Sequence, residues 1–152
     1  DLMQFKSVDD LLNFAIGEEE AAAAFYTELS GRMDKPWMVK VFQDFAREEL
    51  GHKAKLEGIR EGRYLEPSKN QVMDLKIAEY LVDIQPRPGM DFTEALILAM
   101  KKEKAAFRLY SDLAAATDNP ELRDTLTALA QEEARHKLRF ELEYDKHVHT
   151  DY

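Results

Sequence analysis

Residues 42–53 read FQDFAREELGHK, and residues 126–137, which lie 84 positions further along the chain, read LTALAQEEARHK. Both stretches carry apolar residues at spacings of three and four, which is typical of a helix with one buried face. Both also contain Glu-x-x-His, namely Glu49 with His52 and Glu133 with His136. Three residues turn an α-helix by about 300°, so each glutamate shares a face with its histidine. The two stretches therefore predict two related helices that carry the same polar pair.

The same shift of 84 positions relates the segments that precede these helices. It places Glu19 on Glu103 and Tyr26 on Tyr110, and each of these glutamates comes 30 residues before the glutamate of its Glu-x-x-His. Apolar residues surround both glutamates at helical spacing, so their carboxylates are also predicted to face the core. The chain is therefore interpreted as two helical hairpins of one kind, packed together.

Four helices follow from the periodicity and from the residues that start helices. Each start has a capping side chain, with a capping-box partner or a proline in the first turn: Ser7 with Asp10, Asp34 with Pro36, Asp91 with Glu94, and Asn119 with Pro120. The predicted helices span residues 8–32, 34–62, 91–117 and 119–146.

The connections between the helices predict how they pack. Only two or three residues join the helices of each hairpin, so these helices are antiparallel neighbours, whereas residues 63–90 are long enough to travel the length of the bundle. This segment has a short helical pattern near Met73 to Leu81. The prediction is an all-α single domain over residues 1–152, a four-helix bundle whose hairpins, about 8–62 and 91–146, are joined by one long crossover.

Composition excludes several classes of function. The formal net charge is −9, which disfavours nucleic acid and anionic membranes as partners. The chain has no cysteine, which excludes disulfides, thiolate catalysis, zinc bound by cysteine and iron–sulfur clusters. No apolar stretch is long enough to cross a bilayer and no signal-peptide pattern is present, so we expect a soluble cytoplasmic protein.

Four glutamates on buried faces require a positive partner. Glu19, Glu49, Glu103 and Glu133 would be too costly to bury as unpaired anions, and no lysine or arginine occupies the same stripes. Two divalent ions balance four carboxylates, and two trivalent ions bridged by an oxide do so as well. Carboxylate together with imidazole suits iron or manganese, and the residues do not choose between these two metals.

Side chains next to the candidate ligands receive separate predictions. Tyr26 and Tyr110 lie two turns from Glu19 and Glu103 on the same face, and we predict that their hydroxyls hydrogen-bond a ligand carboxylate, which makes them the candidate catalytic residues. The remaining predictions concern residues outside the metal site. Helical phase predicts that four glutamates are solvated (Glu18, Glu20, Glu48, Glu132). His147 and His149 lie in the C-terminal tail and are expected to be exposed without function, and Trp37, at a helix start, is expected to pack against the bundle.

The chain resembles the rubrerythrin-like members of the ferritin-like superfamily. The resemblance covers all four helices and rests on Glu19 with Phe25-Tyr26, Glu48-Glu49-Leu50-Gly51-His52, Glu103 with Tyr110, and Glu132-Glu133-Ala134-Arg135-His136. It implies that two iron ions per chain are bound by Glu19, Glu49, His52, Glu103, Glu133 and His136, with Glu49 and Glu133 bridging. It also implies a homodimer in which this centre reduces hydrogen peroxide or dioxygen in oxidative-stress defence.

The chain departs from the family pattern in two respects. Rubrerythrin proper carries a rubredoxin domain whose iron is bound by four cysteines, and this sequence has no cysteine. We therefore expect electrons from a separate protein or a small reductant, and predict an external electron-donor protein as the partner. Ala106 stands where the family usually has an additional glutamate, and its mate in the repeat is Ala22. We therefore expect a symmetric site with six protein ligands. Two other functions stay open: a ferroxidase or iron-handling protein, and a bundle whose metal is purely structural.

Overall fold

The computed structural model describes residues 8–62 and 89–149. They form four α-helices: α1 (Val8–Arg32), α2 (Pro36–Gly62), α3 (Phe92–Ala116) and α4 (Pro120–His149). No strand occurs within these two ranges. The predicted all-α class and the four helices are therefore confirmed, and α4 continues three residues beyond its predicted end.

Two of the predicted helix starts have the expected capping geometry. The carboxylate of Asp91 accepts a hydrogen bond of 2.8 Å from the backbone N–H of Glu94, and the side chain of Asn119 accepts one of 3.2 Å from Leu122. These bonds satisfy backbone donors that have no partner within the helix. The N-cap of α2 differs from the prediction by one residue. The helix begins at Pro36, so Lys35 and not Asp34 is the residue directly before it.

The buried apolar residues form two clusters at opposite ends of the bundle. The first apolar cluster joins the N-terminal part of α1 with residues such as Leu56 of α2, Leu113 of α3 and Leu126 of α4. The second apolar cluster joins the C-terminal part of α1 with Phe42 of α2, the first turns of α3 and Phe140 of α4. All four helices contribute to both clusters, so the layer between them is enclosed by all four helices.

The two clusters also fix the direction of the helices. The first apolar cluster contains the start of α1 but the end of α3, so these two helices run antiparallel. For the same reason α2 ends beside the first cluster and α3 begins beside the second. The predicted crossover over 63–90, with its short helix near Met73 to Leu81, lies almost entirely outside the described residues and stays a prediction.

The ring of Phe92 packs against three aromatic side chains near the end of the bundle, namely those of Trp37, Phe42 and His147. Trp37 meets it edge to face at 5.3 Å, although Trp37 is still 46% exposed. His147 lies 5.4 Å from the same ring and is partly buried, so the prediction that it is exposed is wrong. His147 belongs to α4 because this helix continues about one turn beyond its predicted end. The side chain of His149 lies outside the described part of the chain.

No helix within 8–62 or 89–149 combines the length and the apolar character that a membrane span requires.

Replacing Asp91 by alanine should lower the free energy of unfolding by about 1 kcal/mol, because the N–H of Glu94 loses its acceptor at the start of α3. Asparagine keeps an acceptor oxygen at this position, so D91N should retain most of the stability. Urea denaturation of the two variants and the unchanged protein measures the difference. Equal losses for D91A and D91N would contradict a capping role.

Candidate metal centre

Six polar side chains lie in the layer between the two apolar clusters. Every helix contributes at least one of them, and each is between 0 and 9% exposed: Glu19, Glu49, His52, Glu103, Glu133 and His136. These are the six residues that the sequence predicted as ligands, so the structure brings the whole predicted set together. Polar groups at this depth require partners, since an unpaired buried charge is strongly unfavourable.

The six side chains form two overlapping groups of potential ligands. One group combines Glu19 and His52 with Glu49 and Glu133, and the other combines Glu103 and His136 with the same two glutamates. Within each group, one nitrogen or oxygen atom from every residue lies within 4.8 Å of the others. Glu49 and Glu133 belong to both groups, which is the arrangement that two ions sharing two carboxylates would need.

Both histidines direct Nδ1 toward the carboxylates. The Nδ1 atom of His52 lies 2.7 Å from Oε1 of Glu133 and 3.5 Å from Oε2 of Glu19. The Nδ1 atom of His136 lies 3.1 Å from Oε1 of Glu49. Despite these short distances, neither Nδ1 atom has a hydrogen bond of acceptable geometry among the described residues, and the same is true of the carboxylate oxygens that face them. Atoms that converge without bonding one another fit metal ions between them.

The outer nitrogens of the histidines are held by two further carboxylates. His52 contacts Glu132 through Nε2 at 2.6 Å, and Nε2 of His136 lies 2.6 Å from Glu48. Each contact joins α2 to α4. Glu48 is 54% exposed, as expected of a solvated residue, and Glu132 is 31% exposed, but the sequence analysis missed that both also contact a histidine. The prediction used the position of each residue on its own helix, whereas these two side chains contact the histidine of the neighbouring helix.

The tyrosines also connect the two hairpins. The hydroxyl of Tyr26 donates to Oε1 of Glu103 at 2.6 Å, and that of Tyr110 donates to Oε1 of Glu19 at 2.5 Å. The predicted hydrogen bonds to candidate ligand carboxylates are present, but each tyrosine binds the glutamate of the other hairpin. Burial, reinforced by the nearby carboxylates, raises the pKa of both tyrosines well above their ordinary value, so both hydroxyls remain donors.

Burial and mutual repulsion dominate the electrostatics of the bridging pair. Removal from water, followed by the negative charges of Glu103 and Glu19, raises the pKa of Glu49 and of Glu133 well above the ordinary value for a glutamate. Burial alone would lower the pKa of His52, but its contacts with Glu19 and Glu132 outweigh burial, so the pKa of His52 is raised. Without a metal, the centre therefore retains protons in place of positive ions.

The other two neighbouring glutamates differ in their surroundings. Glu20 is exposed and forms an ion pair of 3.0 Å with Lys53, as expected of a solvated residue. Glu18 is half-buried, and burial raises its pKa although the charge of Lys102 opposes the shift. Glu18 and Lys102 both line a cavity of about 30 Å³ that reaches the carboxylates. The sequence analysis missed Lys102, although it is the repeat mate of Glu18.

The donor set fits two ions of a hard or intermediate metal. Four carboxylates and two imidazoles match the ligand preferences of iron and manganese. Two divalent ions would balance the charge of the four carboxylates. The inward carboxylate oxygens and Nδ1 atoms, which have no hydrogen-bond partner among the described residues, would then have a metal ion to bind. The described residues thus supply both the geometry and the charge for a dinuclear centre.

Comparison with known proteins agrees with this geometry. The family model for rubrerythrin matches residues 10–144. No curated protein matches the chain significantly. A similar solved structure is that of a Thermotoga maritima protein proposed to be a ferritin-like diiron-carboxylate protein, determined at 2.30 Å resolution. The two share 23% identity with a TM-score of 0.75, and the match covers 93% of this chain and 97% of the other.

The helices form a four-helix bundle with a ferritin-like fold, and two overlapping groups of potential metal ligands lie at its centre. The rubrerythrin match extends over most of the length of the chain. The chain belongs to the rubrerythrin family.

In the metal-free protein, the free energy of unfolding should fall as pH rises above 4.5, the ordinary glutamate value. Glu49 and Glu133 keep protons in the folded state that they lose in the unfolded chain. Their contribution to the free energy of unfolding is therefore complete below the ordinary pKa of a glutamate. It is lost as pH rises through the raised pKa of the folded state. Urea denaturation in the presence of a chelator, from pH 4.5 to about pH 8, measures this slope.

The double variant E49Q/E133Q removes both titrating groups and should show a flatter dependence on pH. The exposed Glu20 provides a matched control, since E20Q should follow the unchanged protein. Parallel pH profiles for the double variant and the unchanged protein would contradict this assignment.

Proposed function

We propose that the protein is a non-haem di-iron oxidoreductase that reduces hydrogen peroxide or dioxygen in oxidative-stress defence. The observation that carries this proposal is the pair of overlapping ligand groups, which share Glu49 and Glu133 and whose inward atoms lack hydrogen-bond partners among the described residues. Glu19 and His52 would complete the set for one iron, and Glu103 with His136 the set for the other. Manganese fits the same ligands.

Ferrous iron held by these residues would supply two electrons, which together with two protons suffice to reduce one hydrogen peroxide to two water molecules. The side chains of this chain prepare the centre for that reaction. Glu48 and Glu132 accept from Nε2 of the histidines, which leaves each Nδ1 free as a ligand. Tyr26 and Tyr110 hold one oxygen of Glu103 and Glu19, so the other oxygen faces the centre.

Return of the centre to its reduced state requires electrons from outside the described residues. The 152 residues contain no cysteine, so a rubredoxin-type iron site cannot be built from them. We therefore propose a separate electron-donor protein as a partner. We also propose a homodimer, which the resemblance to the family implies, and a cytoplasmic location, which the sequence analysis predicts.

Protein prepared with iron should bind about two irons per chain, and one hydrogen peroxide should oxidise both of them. Metal analysis and the visible spectrum, recorded before and after anaerobic addition of peroxide, measure this stoichiometry. E133Q should lose a shared ligand and bind less iron, while E20Q should bind as much as the unchanged protein.

Three outcomes would separate the alternatives. Iron that is oxidised and then leaves the protein, together with sedimentation as a cage of many subunits, would favour a ferroxidase. Bound metal that neither peroxide nor dioxygen oxidises would favour a structural site. Oxidised iron that stays bound and is reduced again by an added donor is the result that the proposal requires.

Glu132→Ala should weaken metal binding by about 10- to 100-fold, because the outer nitrogen of His52 loses the carboxylate that fixes its orientation. Glutamine offers an acceptor oxygen in the same place, so E132Q should restore much of the affinity. The matched control is E20A, which removes an exposed glutamate whose ion pair is with Lys53 and not with a histidine of the centre. Competition titration with a coloured chelator gives the affinities, and an E132A protein that binds iron as tightly as E20A would refute the role.

A further inference from the structure

The internal repeat makes the two candidate metal positions nearly equivalent. The first metal position combines Glu19 and His52 with the two shared glutamates, and the second metal position combines Glu103 and His136 with the same pair. Adding 84 to the residue numbers of the first position gives those of the second. The neighbours that hold these ligands repeat as well, namely the two tyrosines and the two outer glutamates. A difference between the positions is therefore expected where the two copies carry different residues.

Glu18 and Lys102 differ in this way, because they are repeat mates with opposite charges. Each comes directly before a candidate ligand, since Glu19 follows Glu18 on α1 and Glu103 follows Lys102 on α3. Both side chains are half-buried and line the same cavity at the centre. The ammonium group of Lys102 lies 5.1 Å from the centre of the Phe25 ring, so it packs against the bundle.

The pKa shifts of these two residues show which ligands their charges act on. Burial raises the pKa of Glu18, the charge of Lys102 opposes the rise, and the charge of Glu19 adds to it. Burial lowers the pKa of Lys102, and three glutamates oppose this shift: Glu18, Glu103 and Glu49. Glu49 is shared by both metal positions, so Glu103 makes the difference. A negative charge therefore acts on the first metal position and a positive charge on the second.

Other charges beside the centre are expected to contribute less. Glu20 and Lys104 are repeat mates with the same contrast in charge, but both are exposed, and Glu20 forms an ion pair with Lys53. Water and salt screen exposed charges more strongly than half-buried ones. On the histidine side, Lys55 and its repeat mate Arg139 are both cations, so the charge there is the same in both copies.

We propose that Glu18 and Lys102 make the two metal positions unequal, so that the first metal position binds a divalent ion before the second does. Neither residue is a ligand, and both act through their charge. Glu18 strengthens the binding of a cation beside Glu19, and Lys102 weakens the binding of a cation beside Glu103. The inference rests on the proposed function only for the binding of two metal ions, so it can be tested without oxidising the metal.

Manganese(II) is a suitable probe, because it fits the same ligands and its unbound ion can be counted by electron paramagnetic resonance. Titration of the metal-free protein should show two binding steps whose affinities differ by roughly tenfold. H136A removes a ligand of the second metal position, and H52A removes one of the first. H136A should therefore bind its first ion roughly tenfold more tightly than H52A.

The variant E18K/K102E exchanges the two charges without changing the net charge of the chain. In this background the order should reverse, so that H52A binds the ion more tightly than H136A. Two single substitutions separate an effect of charge from damage to the fold. E18Q should weaken binding in H136A, whereas K102Q should tighten binding in H52A, and damage to the fold would weaken both. If a histidine variant loads poorly, E18Q/K102Q with all six ligands should bring the two binding steps together.

The matched control is E20K/K104E, which exchanges the same two charges on the exposed side of α1 and α3. It should leave the ratio of the two affinities within about twofold of that in the unchanged protein. Equal affinities in H52A and H136A would overturn the proposal, as would an order that E18K/K102E does not reverse. A ratio that follows Glu18 and Lys102 in a protein whose iron does not react with peroxide would support the proposal and refute the proposed function.

Discussion

The structure depends on one electrostatic constraint, which is the burial of four carboxylates in a single layer at the centre of the bundle. Glu49 and Glu133 illustrate its size, because burial and the charges of their neighbours raise the pKa of both. Such a layer is tolerable only when protons or metal ions neutralise it. The two apolar clusters lie on either side of the layer and exclude water from it, which strengthens every interaction inside it.

Reciprocal contacts between the hairpins meet this constraint. Tyr26 of the first hairpin holds Glu103 of the second, and Tyr110 of the second holds Glu19 of the first. The histidines follow the same rule, because each is held by a glutamate from the other hairpin. Neither hairpin alone can therefore orient its own candidate ligands. Each copy of the internal repeat therefore supplies the side chains that orient the candidate ligands of the other copy.

The sequence was sufficient for whatever depends on one helix at a time. The four helices and the six central residues follow from spacing along a helix, and the structure brings those six together as predicted. The contacts of Glu48 and Glu132 with the histidines, and the position of Lys102 at the cavity, were missed because they involve other helices, and helical phase carries no information about a neighbour. The tyrosine bonds were predicted in kind, yet their exchange between hairpins needed the three-dimensional arrangement.

The distribution of apolar contacts also bears on what the metal is for. Small metal-dependent domains lack a core of their own, so metal binding supplies most of their folding free energy. Here residues such as Leu11 and Leu126 at one end, and Phe42 and Phe140 at the other, are fully buried without any contribution from the central layer. All four helices already pack together in both clusters. Apolar packing in both clusters therefore joins the helices, so a metal in the central layer would add to contacts that the two clusters make on their own.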